Sequence, residues 1–221
     1  DVRYETREAR EEDEDWTVGG RLVWRRAMGD GQARLALNWV GSRHGQRDYA
    51  YDKAGRPEAV NPPTLYYQQH LLSAGAELVQ PFGLGIEGAA GFSYDAMLTP
   101  ETGDKPPRDP MSAWSLGVGL RRSWPKGVEG FLAVSRKVRF PTMRELFSGA
   151  LGRFLINPGL RPETIWMAEA GLRFFTSQGY AEVVGYVNRT FDTIDQRTVV
   201  VDGERKRQRI NLEGSRVYGM E

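Results

Sequence analysis

Residues 84 to 95, LGIEGAAGFSYD, separate by parity. Leu84, Ile86, Ala90, Phe92 and Tyr94 fall on one side, and Gly85, Glu87, Ala89, Gly91, Ser93 and Asp95 on the other. Side chains of an extended chain alternate across its two faces, so this pattern suits a strand with one apolar face. The division recurs at 114 to 121, where Trp114, Leu116, Val118 and Leu120 oppose Ser115, Gly117, Gly119 and Arg121. It recurs at 16 to 28, where Trp16, Val18, Leu22, Trp24 and Met28 alternate with Thr17, Gly19, Arg21, Val23 and Arg25. Noisier strands are expected at 33 to 43, 66 to 79, 128 to 137, 164 to 175 and 180 to 192, with a last one, polar on both faces, at 208 to 221. The expectation is an all-β chain of about nine strands, since helical spacing fits none of the better segments.

The connections restrict the architecture further. Gly29-Asp30-Gly31-Gln32, Gln80-Pro81-Phe82-Gly83, Trp124-Pro125-Lys126-Gly127 and Thr176-Ser177-Gln178-Gly179 read as tight hairpin turns, because Gly and Pro supply the backbone angles they need. Between them lie long connections near 44 to 65, 96 to 111 and 138 to 163, and a shorter one near 197 to 207. In an antiparallel up-and-down sheet, that alternation puts every tight turn at one end and every long loop at the other. Alternation alone also suits a soluble sandwich or propeller. The asymmetry of the loops favours a transmembrane β-barrel, with strands of about 10 to 15 residues, enough to cross a bilayer when tilted. Trp16, Trp24, Trp39, Tyr66, Tyr94, Trp114, Trp166 and Tyr180 sit near expected strand ends, where interfacial aromatic girdles belong. The acidic run Glu11-Glu12-Asp13-Glu14-Asp15 is expected to be a solvated loop on the long-loop side.

Composition removes several chemistries. The chain has no cysteine, which excludes disulfides, thiolate metal sites and cysteine nucleophiles. Thirty basic against 29 acidic residues give no reason to expect a nucleic-acid partner. A mean hydropathy of -0.53 does not weigh against a barrel, which shows lipid only alternate residues. Gly83-Leu84-Gly85-Ile86-Glu87-Gly88 matches GxGxxG, but alternation runs through it and no helix follows to hold a pyrophosphate. His44 and His70 have no neighbours at triad or metal spacing, so neither catalytic nor metal-ligating residues are expected and the chain is not read as an enzyme.

One stretch resists the strand-and-turn pattern. Residues 140 to 164, FPTMRELFSGALGRFLINPGLRPET, carry Pro141, Pro158 and Pro162, which remove donors and should keep the segment out of the sheet. Yet Phe147, Leu151, Phe154, Leu155 and Ile156 are too apolar for a solvated loop. They are expected to pack against the loop itself or the barrel mouth, holding a loop in shape rather than performing chemistry.

Phe140-Pro141 with Glu145-Leu146, followed by Asn157-Pro158-Gly159-Leu160-Arg161-Pro162-Glu163, resembles a segment of the TonB-dependent outer-membrane receptors. There a strand ends in a pattern like F-R-x-P-x-x-x-E-L, and a loop then delivers N-P-x-L-x-P-E. Val138-Arg139-Phe140-Pro141 departs from it by reversing the order of the aromatic residue and the arginine. Downstream, Glu169 and Gly171 fall where the family has E-x-G, and Asn211, Gly219 and Glu221 resemble its N-x7-G-x-E strand. The last three share a parity and would point together into the lumen. The motifs lie within residues 130 to 221, and residues 1 to 129 agree only in barrel pattern.

The resemblance implies a bacterial outer-membrane location and a barrel of about 22 strands around an amino-terminal plug, energised through the TonB complex acting on that plug. Residues 1 to 221 would then be part of the barrel domain, with plug and terminal strands absent from this sequence. Implied partners are outer-membrane lipid, the receptor's own plug, TonB, and a small-molecule chelate of the iron-siderophore, haem or cobalamin class; no cofactor is implied. Arg21, Arg25, Glu77, Glu87, Arg121, Glu169 and Arg173 fall on expected polar faces, where mixed charge would hydrate the lumen and bond a plug. Tyr49, Tyr51, Arg56, Tyr66 and Tyr67 are the candidates for first contact with an aromatic or anionic ligand. A passive porin without a plug and a soluble β-rich binding module remain the alternatives.

Overall fold

A computed structural model describes residues 2–5, 9–52, 54–60, 64–149 and 153–221. Leu151 lies outside the described residues. The elements, in chain order, are β1 (Val2–Glu5), β2 (Ala9–Met28), β3 (Gly31–Tyr51), β4 (Pro57–Ala59), β5 (Leu65–Gly83), β6 (Ile86–Leu98), β7 (Met111–Trp124), β8 (Val128–Arg139), α1 (Met143–Phe147), β9 (Phe154–Leu155), β10 (Glu163–Thr176), β11 (Gly179–Val201) and β12 (Glu204–Met220). Leaving aside β1, β4 and β9, the strands run from 12 to 23 residues, and each is antiparallel to the next. They form one unclosed up-and-down sheet, as the alternation anticipates.

Cross-strand register assigns the two faces. Leu22, Leu37, Ala74, Tyr94 and Trp114 share one inter-strand row, and Trp24, Leu35, Ala76, Phe92 and Leu116 share the next on that face. These side chains stand open, Leu22 at 67% and Val118 at 51% exposure. Among the described residues, the buried hydrophobic core contains only Tyr67, Met97, Leu146, Phe147 and Leu160. Such a broad apolar face with so small a core is reversed for a protein in water but suits a wall whose outer face meets lipid. Near the long-loop border of this face, Trp39 stacks on His70 at 5.9 Å and Trp114 meets Trp166 edge-on at 6.2 Å. Tyr180, expected in a girdle, instead falls on the inward row beside Phe175 at 6.1 Å.

Several boundaries differ from the sequence reading. The second tight turn lies at Leu84–Gly85 rather than over 80 to 83, with a register shift at Pro81 and Gly83. Leu84 and Gly85 both take positive φ (53° and 73°), the geometry that matches strand twist in a two-residue hairpin. A Cβ on Gly85 would come 2.3 Å from the Ser123 carbonyl oxygen, so only glycine fits there. The connection expected near 197 to 207 is a two-residue turn at Asp202–Gly203, because β11 and β12 stay paired up to Val201 and Glu204. The acidic run 11–15 is not a loop: it lies inside β2, paired with residues 44–48 of β3. Charge on both faces hides such a strand from a hydropathy pattern, yet its backbone pairs as well as any other. Phe154 and Leu155 do join the sheet, pairing in parallel with Arg207 and Gln208, because this short piece lies between the prolines rather than on one.

Candidate functional site

The inward face of the wall carries a charge ladder near the tight turns. Arg121 reaches Glu87 at 3.1 Å and Glu129 at 3.3 Å. Arg173 reaches the other oxygen of Glu129 at 3.2 Å and Glu182 at 2.8 Å. Five alternating charges thus tie β6, β7, β8, β10 and β11 together. Arg34 and Glu77 add a pair at 3.3 Å on β3 and β5. Glu129 and Glu182 were not among the sequence candidates; register exposes them once the turns are fixed, since Arg173 is the cross-strand partner of both. The opposite signs leave no single-sign ring of the kind that selects ions.

Further along the same face, two motif glycines make room for aromatic rings. A Cβ on Gly171 would lie 2.6 Å from the Phe131 ring, and one on Gly219 would lie 2.6 Å from the Tyr186 hydroxyl. A ring lying over a strand glycine covers bare backbone and fixes the register. Glu169 occupies the row between Ala133 and Tyr186, exposed on the inward face. Asn211 and Gly219 face Ile194 and Tyr186, and the Glu221 backbone bonds that of Val184, so all three lie on the inward side.

Residues 140–149 and 153–163 fold inward as a strap over this face. Leu146 and Leu160 are each 1% exposed and pack with Phe147, Tyr67 and Met97, while Phe140, Leu71 and Ile194 flank them. Tyr67 and Met97 belong to inward rows of β5 and β6, so the strap's apolar side chains are satisfied by the wall. α1 forms because Thr142 caps it: its hydroxyl accepts from the Glu145 amide at 3.2 Å, while the Glu145 carboxylate accepts from the Thr142 amide at 2.8 Å. Arg139 then grips Glu145 through both guanidinium nitrogens, at 2.9 and 3.1 Å, and Glu163 at 2.6 Å. Burial pushes the Glu145 carboxyl up, but the bonds from Arg139 and Thr142 outweigh it and hold it below its ordinary range. Glu163 is held low chiefly by Arg139, with the Ile194 amide donating to its other oxygen at 2.6 Å. The reversed order of Phe140 and Arg139 therefore leaves the arginine able to hold both ends of the strap.

Polar anchors fix the rest. Gln69 donates to the Pro141 carbonyl at 2.8 Å. Asn157 donates to the Arg209 carbonyl at 2.9 Å and accepts from the Gly159 amide at 3.0 Å. Asn211 bonds the Arg161 backbone in both directions, at 2.8 and 2.9 Å. Arg108 donates to the carbonyls of Pro158, at 2.7 Å, and Leu160. From Gln69 on β5 to Asn211 on β12 the strap crosses six strand intervals, roughly 29 Å at the usual strand spacing. Pro158 and Pro162, with Lys105, Arg108, Leu160 and Arg161, line a cavity of about 320 Å³ between the strap and the 99–110 connection. Gln69, Met97 and Arg108 escaped the sequence reading because their partners lie 28 to 72 residues away.

The five residues chosen for first ligand contact are not brought together. Tyr67 is 3% exposed, stacked on Phe147 at 5.4 Å, and donates to Asp104 at 3.1 Å. Burial and the neighbouring Asp104 push its phenol above the ordinary range. Tyr66 takes the opposite face, with the Arg43 guanidinium 3.9 Å over its ring. Tyr49 donates to Glu12 at 3.2 Å. Tyr51 pairs with Pro57, and Arg56 closes the turn beyond it by bonding Asp52 at 3.1 Å. Inward from Tyr49, Glu11 and Asp13 sit opposite Asp48 and Gln46. Burial first, then Asp13 and Asp48, pushes the Glu11 carboxyl up to about 7, with His44 opposing. Among the described residues no cluster of three His, Asp or Glu side chains is disposed to hold a metal ion.

A family model described as "TonB dependent receptor-like, beta-barrel" matches residues 2–221. Similar solved structures include the copper transporter OprC, at 18% identity and a TM-score of 0.79, over 96% of this chain and 35% of that one. A mutant ferric enterobactin receptor PfeA from Pseudomonas aeruginosa, in complex with enterobactin, gives 16% identity and a TM-score of 0.64, over 96% and 33%. The Serratia marcescens hemophore receptor HasR, in complex with HasA and heme, gives 13% identity and a TM-score of 0.63, over 96% and 39%. At these identities the likeness is one of fold, and the chain spans between a third and two fifths of their length. Among curated proteins no sequence matches.

Proposed function

The chain belongs to the TonB-dependent receptor β-barrel family, and from that membership we propose that it forms wall and mouth of an outer-membrane receptor for TonB-energised uptake of a scarce ligand. The observation that carries this reading is the inward face, where charges are balanced in a ladder and the strap lies across the mouth. A face neutralised in this way suits a lumen occupied by another folded element, the plug, better than an open ion pore. Glu169, exposed on that face, is the side chain we assign to contact with the plug. Plug and remaining strands are then supplied by the rest of the receptor, and TonB acts through the plug.

The ligand class proposed is a small metal chelate: iron-siderophore, haem or cobalamin. Lys105 and Arg161 around the cavity, paired with Asp104 and Asp192, and Arg108, bonded to strap carbonyls, would have to exchange these partners to bond it. Tyr49, Tyr51 and Arg56 lie at the end of the β3–β4 connection, where a ligand is first met, whereas contact by Tyr67 requires the strap to lift. The motif residues of the strap act by shaping this mouth. The test is complementation by the full-length protein in a bacterial strain stripped of its own receptors, measuring uptake of a ferric siderophore, haem and cobalamin with TonB present and deleted. Uptake of one ligand that disappears without TonB is the expected result. Uptake that persists without TonB overturns the proposal in favour of a passive pore.

A further inference from the structure

The lipid-facing side of the wall holds a second arrangement that uptake does not use. Arg136, Trp166, Arg189 and Arg216 form one inter-strand row across β8, β10, β11 and β12. The row belongs to the outward face, since the next row towards the tight turns is Val134, Ala168, Val187 and Tyr218. That row has no carboxylate, and the one on the other side has none either.

Three arginines of the inward face are treated differently. Arg34, Arg121 and Arg173 on the inward face each hold a carboxylate at 3.3 Å or closer. Among the described residues, Arg136, Arg189 and Arg216 form no ion pair, and Arg189 and Arg216 oppose one another directly across β11 and β12. Like charges in that relation destabilise a sheet, and unpaired charge beside hydrocarbon is costly. Both costs vanish when an external anion sits between the guanidinium groups. The groups are also preorganised. The Arg136 guanidinium lies 4.0 Å over the Trp114 ring and donates to the Thr164 hydroxyl at 3.3 Å, and that of Arg189 lies 4.7 Å over Phe191. Trp114 and Trp166 mark the interface between hydrocarbon and headgroups on this side of the wall, which puts the arginines near phosphate depth, while strand tilt carries the same row into the apolar band at Leu116 and Phe92.

We propose that this row binds the phosphate of an anionic lipid headgroup in the leaflet on the long-loop side. Planar guanidinium groups match phosphate oxygens two at a time, and Arg136 and Arg189 on either side of Trp166, with Arg216 one strand further on, give the headgroup a charged cradle beside an aromatic ring. The proposal rests on the membrane-barrel reading above.

The experiment uses the full-length protein in detergent micelles and in uncharged bilayers, with bis-phosphorylated lipid A as probe, read by native mass spectrometry. Dephosphorylated lipid A and inorganic phosphate serve as comparators. The expected result is preferential binding of the phosphorylated lipid, reduced roughly tenfold to thirtyfold in an Arg189→Gln/Arg216→Gln variant. An Arg189→Lys/Arg216→Lys variant keeps the charge and should retain most of the binding, which separates charge from general damage to the sheet. Equal binding of the dephosphorylated lipid, unchanged binding in the glutamine variant, or displacement of the lipid by inorganic phosphate would each overturn the proposal while leaving the barrel intact. Failure of the wild-type protein to enter bilayers at all would instead overturn the membrane reading on which it rests.

Discussion

The wall and the strap are built on opposite principles. In the wall, a side chain has only two directions available, and its partners follow from register: Arg173 meets Glu129 and Glu182 because β8, β10 and β11 are aligned by their turns. In the strap, partners are distant in sequence and obey no period: Gln69 meets Pro141, Arg108 meets Leu160, and Asn211 meets Arg161. The wall has almost no core of its own, whereas the strap creates one with Leu146, Leu160, Tyr67 and Met97. A barrel can therefore keep its wall while the mouth is rewritten, because each depends on a different set of contacts.

That independence can be broken most forcefully at Leu146. Leu146→Ala removes a fully buried side chain and should cost about 2–5 kcal/mol, felt by the strap. Limited proteolysis within 140–163 is expected to speed up while hydrogen exchange in β6, β7 and β8 stays unchanged. Equal loosening of those strands would show that mouth and wall are one cooperative unit.

A smaller effect is expected from the wall. Gly171→Ala places a methyl group 2.6 Å from the Phe131 ring and 3.0 Å from the Val183 carbonyl oxygen. Overpacking of this kind costs about 1–3 kcal/mol, measured as a fall in the thermal or denaturant midpoint. Adding Phe131→Ala should relieve part of it, and a purely additive double variant would mean that the ring does not occupy the space over the glycine.

The smallest effect is a pH dependence at the outer end of the β2–β3 hairpin. The folded-state pKa of Glu11, about 7, lies above its ordinary 4.5, so the folded state binds more protons in that interval. Stability of this end should therefore decline as pH rises from about 4.5 to about 7 and level off above it. Hydrogen exchange of residues 10–15 and 44–48 reads the effect, and Glu11→Gln should flatten it. A flat profile would mean that Glu11 is solvated rather than buried against Asp13 and Asp48, and a slope of the opposite sign would mean that His44 outweighs burial and holds it ionised.

The contrast also explains what was legible from sequence. Strand number, the two faces and three of the tight turns could be read from sequence, because lipid on one side and water on the other impose period two, whereas the turn at Leu84–Gly85 lay hidden inside an alternating segment. The extensions of β2, β3, β11 and β12 above the apolar band were not legible. Both faces there meet polar surroundings, so Glu11 to Asp15 and Asp195 to Val201 alternate in direction without alternating in hydropathy. The strap's motif could be read as a resemblance, and its prolines signalled an exception to the sheet. Its partners could not, since nothing local in Phe140 to Glu163 points to Gln69, Arg108 or Arg209. The outward arginines went unnoticed for a related reason: Arg216 falls in the segment that read as polar on both faces.

The central claim is that one face of each strand meets lipid and the other the lumen. Residues 1–221 contain no cysteine, and with any cysteine elsewhere in the receptor replaced, the most direct measurement is single-cysteine labelling along β7 in the membrane-inserted protein with a small water-borne thiol reagent. Variants Ser115→Cys, Gly117→Cys and Gly119→Cys should react, and Leu116→Cys, Val118→Cys and Leu120→Cys should not, giving a period of two. Uniform reactivity along the strand, or labelling of the Leu116 face, would contradict the account.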